Sequence, residues 1–137
     1  MRTQDVHRAM IAMLVGALVL VPVASGLRAA DRLIEPLVPG WERFFRLDWE
    51  VVEPRGRPVV RGYIVNSSPY TVTRMQLLLD VLDGGGRVVA QQISWVPGTL
   101  TAFSRAYFEI PAQQRAEAYR VRVLAFDRLQ GAWHQAP

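Results

Sequence analysis

The chain has 137 residues, a formal charge of +4 and no cysteine. One domain fits that length, and the absence of thiols excludes disulfides, thiolate metal sites, cysteine nucleophiles and a lipidated cysteine. All 16 basic residues are Arg and Asn66 is the single asparagine, a bias that GC-rich coding produces, and no run of basic residues forms a nucleic-acid patch.

Residues 9–27 (AMIAMLVGALVLVPVASGL) carry no charged side chain and follow a short head with Arg2 and Arg8. A membrane-spanning helix needs about 20 apolar residues, so residues 1–27 are read as a transmembrane anchor. The same stretch meets the pattern of a signal peptide: a basic head, an apolar centre, Pro22, and small side chains near Ser25. Both readings stay open. In either, positive charge on the short N-terminal side predicts that the rest of the chain is exported. The expected placement is single-pass with the N-terminus in the cytoplasm, or release on the far side of the membrane if the signal is cleaved.

Residues 28–43 read as a connector, because Pro36, Pro39 and Gly40 stop any long helix. Trp41, beside Phe44 and Phe45, is a candidate contact residue at a membrane interface or for a partner.

From Phe44 the period becomes two. Phe45, Leu47, Trp49 and Val51 alternate with Arg46, Asp48 and Glu50, as a half-buried strand requires. Residues 54–58 form a turn, residues 59–66 a second strand, and residues 72–82 a third with Met75, Leu77, Leu79 and Val81 on one face. Asp83 and Gly84 open a tight hairpin into a fourth strand over residues 87–96. Pro97 and Gly98 are expected to turn the chain again. A fifth strand is expected over residues 100–110, with Phe103 and Phe108 on opposite faces. The last spans residues 117–129, with Tyr119, Val121, Val123 and Ala125 inward and Arg120 and Arg122 outward. Residues 130–137 read as a flexible tail. The fold class expected is all-β: an antiparallel immunoglobulin-like sandwich of six to seven strands over residues 44–129, behind one N-terminal hydrophobic helix.

The string Val60-Arg-Gly62-Tyr-Ile64-Val-Asn66-Ser67-Ser68 resembles the second strand of bacterial FxLYD-type envelope domains, and Leu77-Leu-Leu-Asp-Val-Leu-Asp83-Gly84 resembles their strand-to-hairpin transition. Phe108-Glu-Ile-Pro111 and residues 119–123 resemble the closing strands, so the likeness covers roughly residues 58–127. The Phe-x-Leu-Tyr-Asp signature itself is not intact, since Leu79 or Leu82 stands where an aromatic precedes the Asp. The likeness extends to the immunoglobulin-like sandwiches of late-embryogenesis-abundant type proteins. It implies a domain tethered at the outer face of the inner membrane, with no catalytic residues to carry over. Within the motif, Gly62 suits close backbone approach in a sheet, and Asn66 suits bonding to local backbone at a strand end.

Chemistry of other kinds finds no residues. His7 and His134 sit at the two ends of the chain, and no carboxylate set has calcium-loop spacing. No catalytic residue, cofactor or metal is assigned. Trp95 and Tyr107 lie on strands between polar neighbours and are candidate partner contacts. The function expected is a non-enzymatic, membrane-tethered interaction or accessory module that binds another envelope or membrane protein, with residues 45–51 or 87–96 as candidate edges for strand addition. The alternative is a soluble periplasmic protein binding a small apolar or lipid ligand under Leu77, Leu79, Val121 and Val123.

Overall fold

The computed structural model describes residues 32–129, so the N-terminal hydrophobic segment and the tail lie outside the described residues. Among those described, no helix is long and apolar enough to cross a membrane.

Alternating patterns give six strands: β1 (Phe45–Val52), β2 (Val59–Asn66), β3 (Val72–Leu82), β4 (Val88–Leu100), β5 (Arg105–Pro111) and β6 (Ala118–Arg128). They pair into two antiparallel sheets of three strands. Sheet A has the order β1-β2-β5 and sheet B the order β4-β3-β6. Each sheet turns its apolar face toward the other. Val60, Ile64, Phe108 and Ile110 from sheet A meet Met75, Leu77, Leu79, Val96, Val121 and Val123 from sheet B in one buried cluster. Removing such side chains from water supplies most of the stabilisation, about 1.5–3 kcal/mol each.

Two strand ends and one strand face depart from the sequence reading. Pro97 and Gly98 do not turn the chain, because β4 runs on to Leu100 and its ladder with β3 resumes at Thr99 opposite Thr73. Proline is tolerated here since β4 is an edge strand. The register shift opposite it falls at Arg74, which takes a left-handed φ of 53°, and Gly98 takes φ 83°. The true turn follows, and β5 therefore starts at Arg105. Phe103 lies in that turn at φ 55°, exposed, and not on a strand face. In β6 a register shift against β3 between Gln76 and Leu77 displaces the alternation. Phe126, not Ala125, then joins the core, packed edge-on against Phe45 at 4.8 Å between ring centroids.

The segment from Arg32 onward belongs to the same compact unit as the strands. Gly40 (φ 76°) leads into a short 3-10 helix, Trp41–Arg43. That turn inserts the Trp41 ring into the core, where it is 8% exposed. Trp41 is therefore corrected from contact residue to core residue. A ring beside Phe44 and Phe45 finds more apolar surface inside the sandwich than at its rim.

Candidate interaction surfaces

Outside the core the two sheets present different faces. The outer face of sheet A is a ladder of polar and aromatic side chains. Arg61 stands opposite Glu50 on β1 and Glu109 on β5, and its Nη2 donates to Glu50 Oε1 at 3.0 Å. Tyr63 and Tyr107 are direct cross-strand partners, with rings edge-to-face at 5.5 Å. Arg105 stacks over Tyr63 at 4.5 Å. The Tyr107 hydroxyl donates to Glu109 at 2.6 Å, and that bond to a carboxylate pushes the Tyr107 pKa above its ordinary value. An open concavity of about 490 Å³ lies between these groups and Trp49. Gly62 borders it and lets the β1 backbone approach β2 closely. A Cβ there would overlap the Asp48 carbonyl oxygen and stand 2.6 Å from Trp49 Cα.

The outer face of sheet B is organised around Asp80. Its neighbours Leu79 and Val81 point inward, so Asp80 points outward, yet it is fully buried. Its Oδ2 receives Arg120 Nε at 2.8 Å and Arg122 Nη2 at 2.8 Å. Its Oδ1 accepts from Gln91 Nε2 at 2.8 Å. Gln91 and Arg122 also hold the connector. The Ile34 N–H donates to Gln91 Oε1 at 2.6 Å, and Gln91 Nε2 donates to the Ile34 carbonyl at 2.9 Å. Arg122 Nη1 donates to Glu35 at 2.6 Å, and the Leu37 N–H donates to the Leu124 carbonyl at 2.8 Å. Residues 34–37 thus cross sheet B from β4 to β6. Leu78 and Leu124 are buried on this side, outside the inter-sheet cluster.

The connector does not reach the far end of β4. Ile93 pairs with Leu78 and Trp95 with Gln76, on the same outward side as Gln91. Ile93 is 44% and Trp95 57% exposed, and Val89 on the same strand is exposed too. β4 carries no charged side chain along its length, whereas the other three edge strands do: Arg46, Asp48 and Glu50 on β1, Arg105 and Glu109 on β5, and Arg120, Arg122, Asp127 and Arg128 on β6. Charges and prolines are the usual protection of a sheet edge. On β4 only Pro97, near its end, serves that way.

The candidate residues fall as follows. Trp95 and Tyr107 are both exposed, but Trp95 is on the outside of sheet B and Tyr107 on the outside of sheet A, so they do not form one patch. Asn66 is fully buried. Its Nδ2 donates to the Tyr70 and Thr101 carbonyls at 2.7 and 3.1 Å, and its Oδ1 accepts from Ser68 N and Oγ at 3.0 and 2.7 Å. It ties the β2–β3 loop to the β4–β5 turn. Asp83 closes the β3–β4 hairpin through Oδ1, which accepts from Gly85 N and Arg87 N at 2.9 Å each. The left-handed conformation in that hairpin falls on Gly86, at φ 77°, and not on Gly84. Leu77, Leu79, Val121 and Val123 pack within the continuous core.

The Asp80 cluster escaped the sequence reading, which picked out only Met75, Leu77, Leu79 and Val81 on the third strand and gave Asp80 no role. The usable signal was an acid inside the apolar run Leu77-Leu-Leu-Asp-Val-Leu82, matched by two outward arginines on the last strand.

Among the described residues, no three His, Cys, Asp or Glu side chains gather as metal ligands. No protein-family model matches the chain, and neither a curated protein nor a solved structure matches it.

Proposed function

We propose that this protein is a membrane-tethered binding module of the bacterial envelope, with an immunoglobulin-like domain in the periplasm that recruits a protein partner through the β4 edge of sheet B. The order β1-β2-β5 facing β4-β3-β6 corresponds to strands ABE and C′CF of that fold, which supports the immunoglobulin-like assignment. The uncharged run at residues 9–27 behind Arg2 and Arg8 supports the tether and the export. The observation that carries the binding reading is the edge itself. β4 has free backbone groups along one side, no charge, and exposed Val89, Ile93 and Trp95. Backbone bonds along such an edge supply affinity, and alternate side chains supply selectivity.

The test combines a topology reporter with a pull-down. A C-terminal fusion to a phosphatase active only outside the cytoplasm is expected to be active, with the full-length mass in the membrane fraction. A mild-detergent pull-down is expected to hold a stoichiometric protein that Trp95→Asp releases and Tyr107→Asp does not. An inactive reporter overturns the exported topology. A partner released by Tyr107→Asp and retained by Trp95→Asp overturns the assignment to β4.

A further inference from the structure

We infer that the partner of the β4 edge is a second copy of this chain, paired antiparallel about a two-fold axis at Ile93. This rests on the strand-addition reading above and names its occupant.

Three observations select a second copy. The first is charge. A chain with a formal charge of +4 repels itself, and β1, β5 and β6 all place arginines along their edges. β4 alone of the four edges carries no charge, so it meets its own copy without opposing like charges in any register, and like charges directly opposite destabilise cross-strand pairs.

The second is self-complementarity. The regular part of β4 is residues 90–96, because Val89 is the extra residue of a bulge and Pro97 has no N–H. With the axis at Ile93, Trp95 of one copy stands opposite Gln91 of the other. Gln91 is the residue that holds Ile34 on the outer face. The exposed Trp95 ring is then brought onto Leu33 and Ile34, themselves 49% and 38% exposed. The same contact forms twice, as an isologous interface requires. On the inner side Gln92, whose amide is bonded to the Pro111 carbonyl and the Gln113 N–H, meets Ser94, and neither of these two residues carries a charge.

The third is the direction of the connectors. Antiparallel pairing at an edge has its two-fold axis normal to the sheet, so the outer faces of both sheets B look the same way. Both connectors, held on those faces by Gln91, lie on one side of the resulting six-stranded sheet. Two chains anchored in a single bilayer need that arrangement.

The absence of native cysteine allows a direct test. Directly opposite residues in an antiparallel pair have Cα atoms about 4.5–5.5 Å apart, within the range a disulfide spans. The full chain is taken from whichever cell fraction holds it, carrying either Ile93→Cys or Tyr63→Cys, the latter on the central strand of sheet A. Under mild oxidation, Ile93→Cys is expected to give a covalent homodimer as the main product, and Tyr63→Cys to stay monomeric. Ile93→Lys, which sets two ammonium groups face to face at the axis, is expected to weaken the uncrosslinked dimer at least tenfold in sedimentation, while leaving the melting transition of the monomer in place. Ile93→Cys that crosslinks no faster than Tyr63→Cys overturns the homodimer. If it crosslinks instead to a different protein, strand addition at β4 stands and the second copy does not.

Discussion

Sheets A and B each have an inward apolar face and an outward face with polar residues, and their sequences alternate alike. Their outer faces end in different states. On sheet A, Arg61, Glu50, Tyr63 and Tyr107 stand in solvent and satisfy one another. On sheet B, the connector lies across Asp80, Leu78 and Leu124 and leaves β4 bare beyond Gln91. The contrast teaches that period-two alternation locates the inter-sheet core but does not say whether the other face meets water. A polar position such as Asp80 reads the same in both cases, yet its energetics differ. Exposed ion pairs contribute little. A buried carboxylate held by two guanidinium groups is costlier to break, because Arg122 beside it is largely shielded from water.

Substitutions can break that contrast one face at a time. The largest effect is expected at Asp80. Asp80→Asn removes the charge that Arg120 and Arg122 share, and should lower the unfolding free energy of the full chain by about 2–3 kcal/mol in urea titration, since Arg120 is half-exposed and Arg122 keeps Glu35. A loss below 1 kcal/mol would mean that the cluster is solvated. Next comes Gly62→Ala, whose Cβ meets the β1 backbone at Trp49 and Asp48. It should cost about 1–3 kcal/mol, as overpacking does. A neutral outcome would show that β1 moves away freely.

Gln91→Ala removes both bonds to the Ile34 backbone. It should cost about 1 kcal/mol globally, and it should also speed proteolysis within residues 32–37. Unchanged proteolysis would place the hold on the connector elsewhere. On the solvent face, Glu50→Gln should leave the urea midpoint where it is, because Arg61 is exposed.

The smallest effect is a titration. Tyr107 ionises above its ordinary value because its neutral hydroxyl donates to Glu109. The neutral form is favoured in the folded chain, so any stability it adds is present below pH 10 and is lost as pH rises through the folded value. Glu109→Gln should bring the Tyr107 midpoint down in an ultraviolet titration. A midpoint that does not move would assign the shift to another cause.

Much of the fold was legible because strand residues keep step. The bounds read for residues 59–66 and 72–82 match β2 and β3 to the residue. The misread positions on β4 and β6 lie at irregularities. The shift opposite Arg74 lets an edge strand pass through Pro97, and the shift at Gln76 turns Phe126 inward in place of Ala125. Neither is visible in a two-residue period. Trp41 was misplaced because an aromatic flanked by Pro39, Gly40 and Glu42 looks like a rim residue until the 3-10 turn is known to aim it inward. The covered half of sheet B was illegible for a different reason. Asp80 is joined to Arg120, 40 residues on, and to a connector whose prolines mark it as structureless. The exposed half was more readable, since the lack of charge from Val88 to Leu100 is a property of sequence alone.

The division of sheet B into a covered part and an open edge is tested most directly by amide hydrogen exchange on the full chain at two protein concentrations. The Ile34 and Leu37 amides are expected to be protected at both concentrations, because they donate to Gln91 and Leu124. The amides of residues 90–96 that the β3 ladder leaves free should be unprotected in dilute solution and gain protection as concentration rises. Rapid exchange at Ile34 and Leu37, with residues 90–96 indifferent to concentration, would contradict that division.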